Sequence, residues 1–168
     1  IKGKIPIIID DVIAGGSVEI AGEKVGVGGD ITADAVLGNA GTIDLNSTKR
    51  TVVADGELSA SSVVGNGGSV FITSDGDALL IKGASVDVSA GAKGGFAELS
   101  GREGIYLEGS VNGQGGKADG MFLIDPATLN ITDQSAGAGS LDGSLPDILA
   151  GEGGASESIS ETALEAIG

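Results

Sequence analysis

Residues 65–95 read GNGGSVFITSDGDALLIKGASVDVSAGAKGG. Three short apolar runs sit between glycines and aspartates, and the pair Gly67-Gly68 returns as Gly94-Gly95, 27 residues on. Working outward from this stretch, the glycine before each alternating run falls at Gly16, Gly41, Gly68, Gly95 and Gly120, at spacings of 25, 27, 27 and 25. The runs that follow are SVEIA, TIDLN, SVFIT, FAELS and MFLID. Positions two and four after each anchor are always apolar: Val18 and Ile20, Ile43 and Leu45, Val70 and Ile72, Ala97 and Leu99, Phe122 and Ile124. Period-two alternation turns one set inward and the other outward.

Each unit holds two further runs. The second comprises Lys24–Val27, Thr51–Ala54, Ala78–Lys82 and Gly104–Leu107; the third comprises Asp30–Ala33, Glu57–Ala60, Ser85–Ala90 and Ser110–Asn112. Ile31, Leu58, Val86 and Val111 mark the third run, and Gly, Asn and Asp punctuate the gaps as tight turns require. One such unit cannot bury its own apolar face, whereas stacked units can, each strand pairing with its equivalent in the next coil. The expectation is an all-β, right-handed parallel β-helix with about 25–27 residues per coil, its ten inward residues forming the structural core column. An antiparallel sandwich also spaces strands regularly; the repeated GG anchors and matching apolar offsets favour the coil.

Composition agrees with a narrow core. Among 168 residues, 32 are Gly and only 2% are aromatic, so Val, Ile, Leu and Ala must supply the burial. The net charge of −15 repels phosphate and argues against nucleic acid as a partner, and no apolar run reaches membrane-spanning length. There is no Cys and no His, which excludes disulfides, thiolate chemistry, a Ser-His-Asp triad and the commonest metal ligand.

The pattern breaks near Gln134. The reading places β-helix coils over 1–133, a Gly/Ser-rich acidic excursion over 134–158, and a short helix or cap over 159–168, where Ser158 and Glu161 have capping-box spacing.

Three features resemble the filamentous-haemagglutinin-like exoproteins of two-partner secretion in Gram-negative bacteria. GASVDVSAGAKGGFAELSG at Gly83–Gly101 is similar to the recurrent coil of that family. FLIDPATLNIT at Phe122–Thr132 looks like its Asp-Pro segment closing a set of coils, and a loop then leads to ISETALEAI. The resemblance covers roughly residues 65–168. It implies an internal piece of a longer passenger, exported through an outer-membrane transporter and folded outside the cell or on its surface. The implied role is structural and adhesive, toward a host or neighbouring-cell receptor or glycan. Alternatives are a self-associating filament or matrix subunit and a carbohydrate-active β-helix enzyme.

Candidate chemistry is sparse. Asp125 and Pro126 read as a corner, since proline fixes φ and cannot donate to a ladder. Asp30, Asp34, Asp142 and Asp147 are weak Ca²⁺ candidates, because their stretches lack the tandem glycine-aspartate nonapeptide. Glu19, Asp44 and Glu98 share an outward offset with Phe71 between the last two, a pattern more typical of a solvated face than of a catalytic pair. Asn46-Ser47-Thr48 and Asn130-Ile131-Thr132 are sequons, with Asn46 the candidate glycosylation site. No cofactor, no catalytic residue and no membrane insertion are expected.

Overall fold

The computed structural model describes residues 15–126, 129–132 and 157–160. Strands β1 (Ser17–Gly28), β2 (Ile31–Thr32), β3 (Thr42–Ser59), β4 (Ser69–Ser74), β5 (Asp77–Leu80) and β6 (Ala84–Asp87) are followed by β7 (Phe96–Gly101), β8 (Gly104–Leu107), β9 (Ser110–Asn112) and β10 (Met121–Pro126). β11 (Leu129–Thr132) and β12 (Glu157–Ser160) complete the described elements. Every strand pairing among them is parallel, each strand lying beside its counterpart one coil away. The chain is a parallel β-helix of about four turns.

Three faces result. The first stacks the start of β1, the start of β3, β4, β7 and β10; the second stacks the end of β1, the middle of β3, β5 and β8. The third stacks β2, the end of β3, β6 and β9. β3 runs through all three faces as 18 continuous strand residues.

The strand register sets the inward residues side by side. Val18 lies beside Ile43, Ile43 beside Val70, Val70 beside Ala97 and Ala97 beside Phe122. Ile20, Leu45, Ile72, Leu99 and Ile124 form the parallel column two residues on. Ile43, Leu45, Val70 and Leu99 are fully buried, whereas Val18, Ile20, Phe122 and Ile124 near the ends are half-buried. On the third face Ile31, Leu58, Val86 and Val111 align in the same way. Each fully buried aliphatic contributes about 1.5–3 kcal/mol relative to exposure.

The anchor glycines have a steric origin. A Cβ built on Gly68 would overlap the carbonyl oxygen of Gly41, and one on Gly95 would overlap that of Gly68; Gly41 and Gly120 meet Gly16 and Gly95 alike. Four anchor N–H groups also donate across the tube, Gly41 to the Ala33 carbonyl and Gly68 to Ala60 at 2.8 Å, Gly95 to Val88 and Gly120 to Gly113 at 2.7 Å. Close approach of coil to coil at this corner therefore requires glycine at Gly41, Gly68, Gly95 and Gly120, whereas a Cβ on Gly16 in the first coil meets nothing within 4 Å. At the corner between the second and third faces, Gly56 takes φ +86° and Gly83 φ +97°, a left-handed conformation that glycine adopts without strain.

The interior is not wholly apolar. At the corner between the first and second faces, Ser47 donates to Ser74 Oγ at 2.9 Å. Thr51 donates to the Thr73 carbonyl at 2.8 Å and lies 2.9 Å from Ser47 Oγ, while the Gly76 N–H donates to Ser74 Oγ at 3.0 Å. The hydroxyls satisfy one another and the bend's backbone, as buried polar groups must.

Toward the C-terminus two expectations change. Asp125 and Pro126 form the last residues of β10 rather than a separate turn, and proline at the strand end sacrifices no interior ladder bond. Ile159 and Ser160, assigned to the expected helix, are extended in β12, where pairing with Ile131 and Thr132 outweighs a capping-box signal that is purely local. Residues 161–168, Asp142 and Asp147 lie outside the described residues. Leu129 pairs with Glu157, an offset of 28 residues and close to the circuit length of the preceding coils.

Candidate functional site

The corners employ several acidic and amide side chains. Asp30 Oδ1 accepts the backbone N–H of Glu57 at 2.9 Å, one coil on. Asp34 Oδ1 accepts the Ser61 N–H at 2.7 Å, the Ser59 hydroxyl at 2.6 Å and the Ser61 hydroxyl at 3.1 Å. Asn39 accepts from Asn66 N–H at 3.0 Å, and Asn66 accepts from Lys93 N–H at 3.3 Å, so one amide ladder climbs two coils. The calcium candidates Asp30 and Asp34 thus act as corner caps, their oxygens bonded to the neighbouring turn. Among the described residues no group of three or more acidic side chains is arranged to hold a metal ion.

Glu57 stands among these acids on the third face. Partial burial, followed by the carboxylates of Asp87, Asp34 and Asp30, pushes its pKa above the ordinary carboxylate value. Two ion pairs join coils on the second face: Arg50 to Asp77 at 2.6 Å, and Lys49 to Glu23 at 2.5 Å.

The outer surface of the first face carries the site. Alternate positions form three outward columns. Ser17, Thr42, Ser69, Phe96 and Met121 make the first, and Glu19, Asp44, Phe71, Glu98 and Leu123 the second. Ala21, Asn46, Thr73, Ser100 and Asp125 make the third. Glu19 and Asp44 are neighbours, but Phe71 separates Asp44 from Glu98, which places the two carboxylates two rungs, roughly 10 Å, apart. Phe71 and Phe96 are half-buried, with ring centroids 5.7 Å apart and planes tilted by 49°. Met121 and Leu123 extend this apolar strip and are 65% and 39% exposed.

Beside the strip runs an open groove of about 590 Å³, lined by Asn46, Thr73, Ser100 and Asp125 of the third column, with Glu98, Ser74, Asp75 and Arg102 at its sides. Asn46 Nδ2 donates to Thr73 Oγ1 at 2.8 Å, and the Ser100 hydroxyl donates to the Asp125 carbonyl at 3.2 Å. Asn46, the candidate glycosylation residue, is therefore a rung of a polar ladder. Among the described residues no hydrogen bond or ion pair engages the carboxylates of Asp75, Glu98 and Asp125 or the Arg102 guanidinium. This groove was missed at the level of sequence, although its signal is simple: Asn46, Thr73, Ser100 and Asp125 all fall five residues after an anchor glycine. Compared with protein-family models, curated proteins and solved structures, the chain matches none of them.

A second surface feature lies at the corner after the third face. Val36, Leu37, Val63 and Val64 are 51–69% exposed. A shallow groove of about 450 Å³, lined by residues of 61–63, 89–90 and 114–116, runs beside them.

Proposed function

We propose that the chain is a non-catalytic structural and adhesive segment of a large secreted surface exoprotein of the filamentous-haemagglutinin-like, two-partner secretion type, displayed by a Gram-negative bacterium. The observation that supports this reading most is how the polar side chains at the corners are employed. Asp30, Asp34, Asn39 and Asn66 hold coil to coil, which suits a stiff rod, whereas the groove on the first face is open along the rod. An adhesive surface needs that combination: a rigid scaffold and a broad exposed strip whose groups are available to a partner. The sequence holds no His and no Cys, which excludes imidazole and thiol catalysis. The resemblance of Gly83–Gly101 and Phe122–Thr132 to that exoprotein family supports the setting outside the cell.

Antibodies raised against the chain test the reading. They are expected to label intact producing cells without permeabilisation, and deletion of the segment is expected to reduce attachment to a target surface. Labelling only after permeabilisation, together with unchanged attachment, would refute it.

A further inference from the structure

We propose that the outer surface of the first face, from Phe71 and Phe96 across Glu98 to Arg102 and Asp125, binds an uncharged oligosaccharide. This assignment rests on the adhesive reading and names its ligand class.

The chemistry of the strip points to a sugar. A pyranose ring presents an apolar C–H face and a rim of hydroxyls that both donate and accept. Half-exposed Phe71 and Phe96, extended by Met121 and Leu123, give the apolar surface such a face packs against. The adjoining groove gives the complementary rim. Asp75, Glu98 and Asp125 are acceptor-only carboxylates, Arg102 is a donor-only guanidinium, and Asn46 offers both. Hydrogen bonds to charged groups of this kind are the stronger ones. Among the other carboxylates, Asp30, Asp34 and Asp87 hold neighbouring turns and Asp77 is paired with Arg50, while Glu19 and Asp44 continue the outward column of Glu98 on this same face.

Other ligands fit less well. Three carboxylates against one guanidinium, on a chain of net charge −15, oppose sulfated, phosphorylated or uronic glycans. A peptide adding itself as a strand needs unpaired N–H and C=O groups, and on this face β4 and β7 are each paired on both sides. An apolar small molecule needs an enclosed cavity, and this groove is open along the rod. An open site of this depth yields weak individual contacts, and attachment through many copies of the chain supplies avidity.

The test uses the whole chain on a broad array of immobilised glycans, followed by ¹H–¹⁵N titration with the best uncharged tetrasaccharide. Saturable shifts are expected at the backbone amides of 71–75, 96–102 and 121–125. Glu98→Ala and Arg102→Ala are each expected to weaken binding about tenfold, while Glu57→Gln on the third face leaves it unchanged. Both groove substitutions are of outward side chains, and unchanged circular dichroism verifies their folding. The proposal is overturned if the array shows no uncharged ligand, if acidic glycans bind better, or if the shifts map to the second or third face. It is also overturned if periodate treatment of target cells leaves attachment intact while proteinase abolishes it. In that case surface display and attachment still stand, and the partner is a protein.

Discussion

Alanine at Gly68 is the sharpest test of the stacked-coil argument. Its Cβ would overlap the Gly41 carbonyl oxygen, and that same oxygen accepts the Ser69 N–H at 3.0 Å. Neither group can move without separating two coils. Overpacking of a dense interior costs about 1–3 kcal/mol, and an unmade buried hydrogen bond costs about 1–3 kcal/mol more, so Gly68→Ala should destabilise by roughly 2–6 kcal/mol. Gly26 is the control. It is exposed on β1, a Cβ there meets nothing within 4 Å, and its neighbour across the ladder is Val52. Gly26→Ala should be neutral or stabilise by about 0.5–1 kcal/mol, because glycine in a strand carries an entropic penalty. Urea unfolding followed by circular dichroism separates the two. With a slope of about 2 kcal/mol/M, a loss of ~4 kcal/mol moves the midpoint down by roughly 2 M. Two midpoints within about 0.3 M of each other would mean that the coils are not packed glycine on carbonyl, and the column argument would fail.

Other outcomes follow from the same geometry. Val70→Ala removes two methyl groups from a fully buried rung and should cost about 2–3 kcal/mol, against less than about 1 kcal/mol for Val18→Ala at the half-buried end; equal costs in urea titrations would contradict the burial gradient. Asp34→Ala strips three hydrogen bonds from Ser59 and Ser61 and should lower stability by about 1–3 kcal/mol, with the Ser61 amide losing protection in hydrogen exchange. Because the folded-state pKa of Glu57 is raised, the folded chain holds its proton to higher pH than the unfolded chain does. The penalty from its ionisation is absent below the unfolded value and complete above the folded one. Glu57→Gln should therefore raise the melting temperature at pH 7 and converge with the parent as pH falls below 4; a stabilisation constant with pH argues against an electrostatic cause.

The architecture was legible because one physical requirement is written in one repeated place. Apolar residues two and four positions after each glycine, as at Ile43/Leu45 and Val70/Ile72, can be buried only if the coils stack, and the anchors can approach only without a side chain. What escaped the sequence depends on partners a full circuit away. Asp34 looks like a free turn carboxylate until Ser61, 27 residues later, is seen to donate to it. Buried Ser47, Thr51 and Ser74 look like outward strand residues, because the hydroxyl network at the bend has no periodic signature. The groove escapes because Asp125 reads as a corner, Asn46 as a sequon and Glu98 as part of a solvated face, while Thr73 and Ser100 carry no signal until the register sets them in one column. At the C-terminal end, the local capping signal at Ser158 competes with non-local pairing to Asn130, and local patterns cannot reveal such a partner.

The direction of the ladder bonds sets how this rod responds to load. They lie along its long axis, since each strand crosses that axis and bonds to the strand above. Tension applied between the two ends therefore pulls on one rung at a time instead of shearing many together. Each rung that peels releases a circuit of 25–27 residues, or about 90 Å of chain at full extension. Stretched in a single-molecule trap, the segment should lengthen in even steps at modest force and rewind on release.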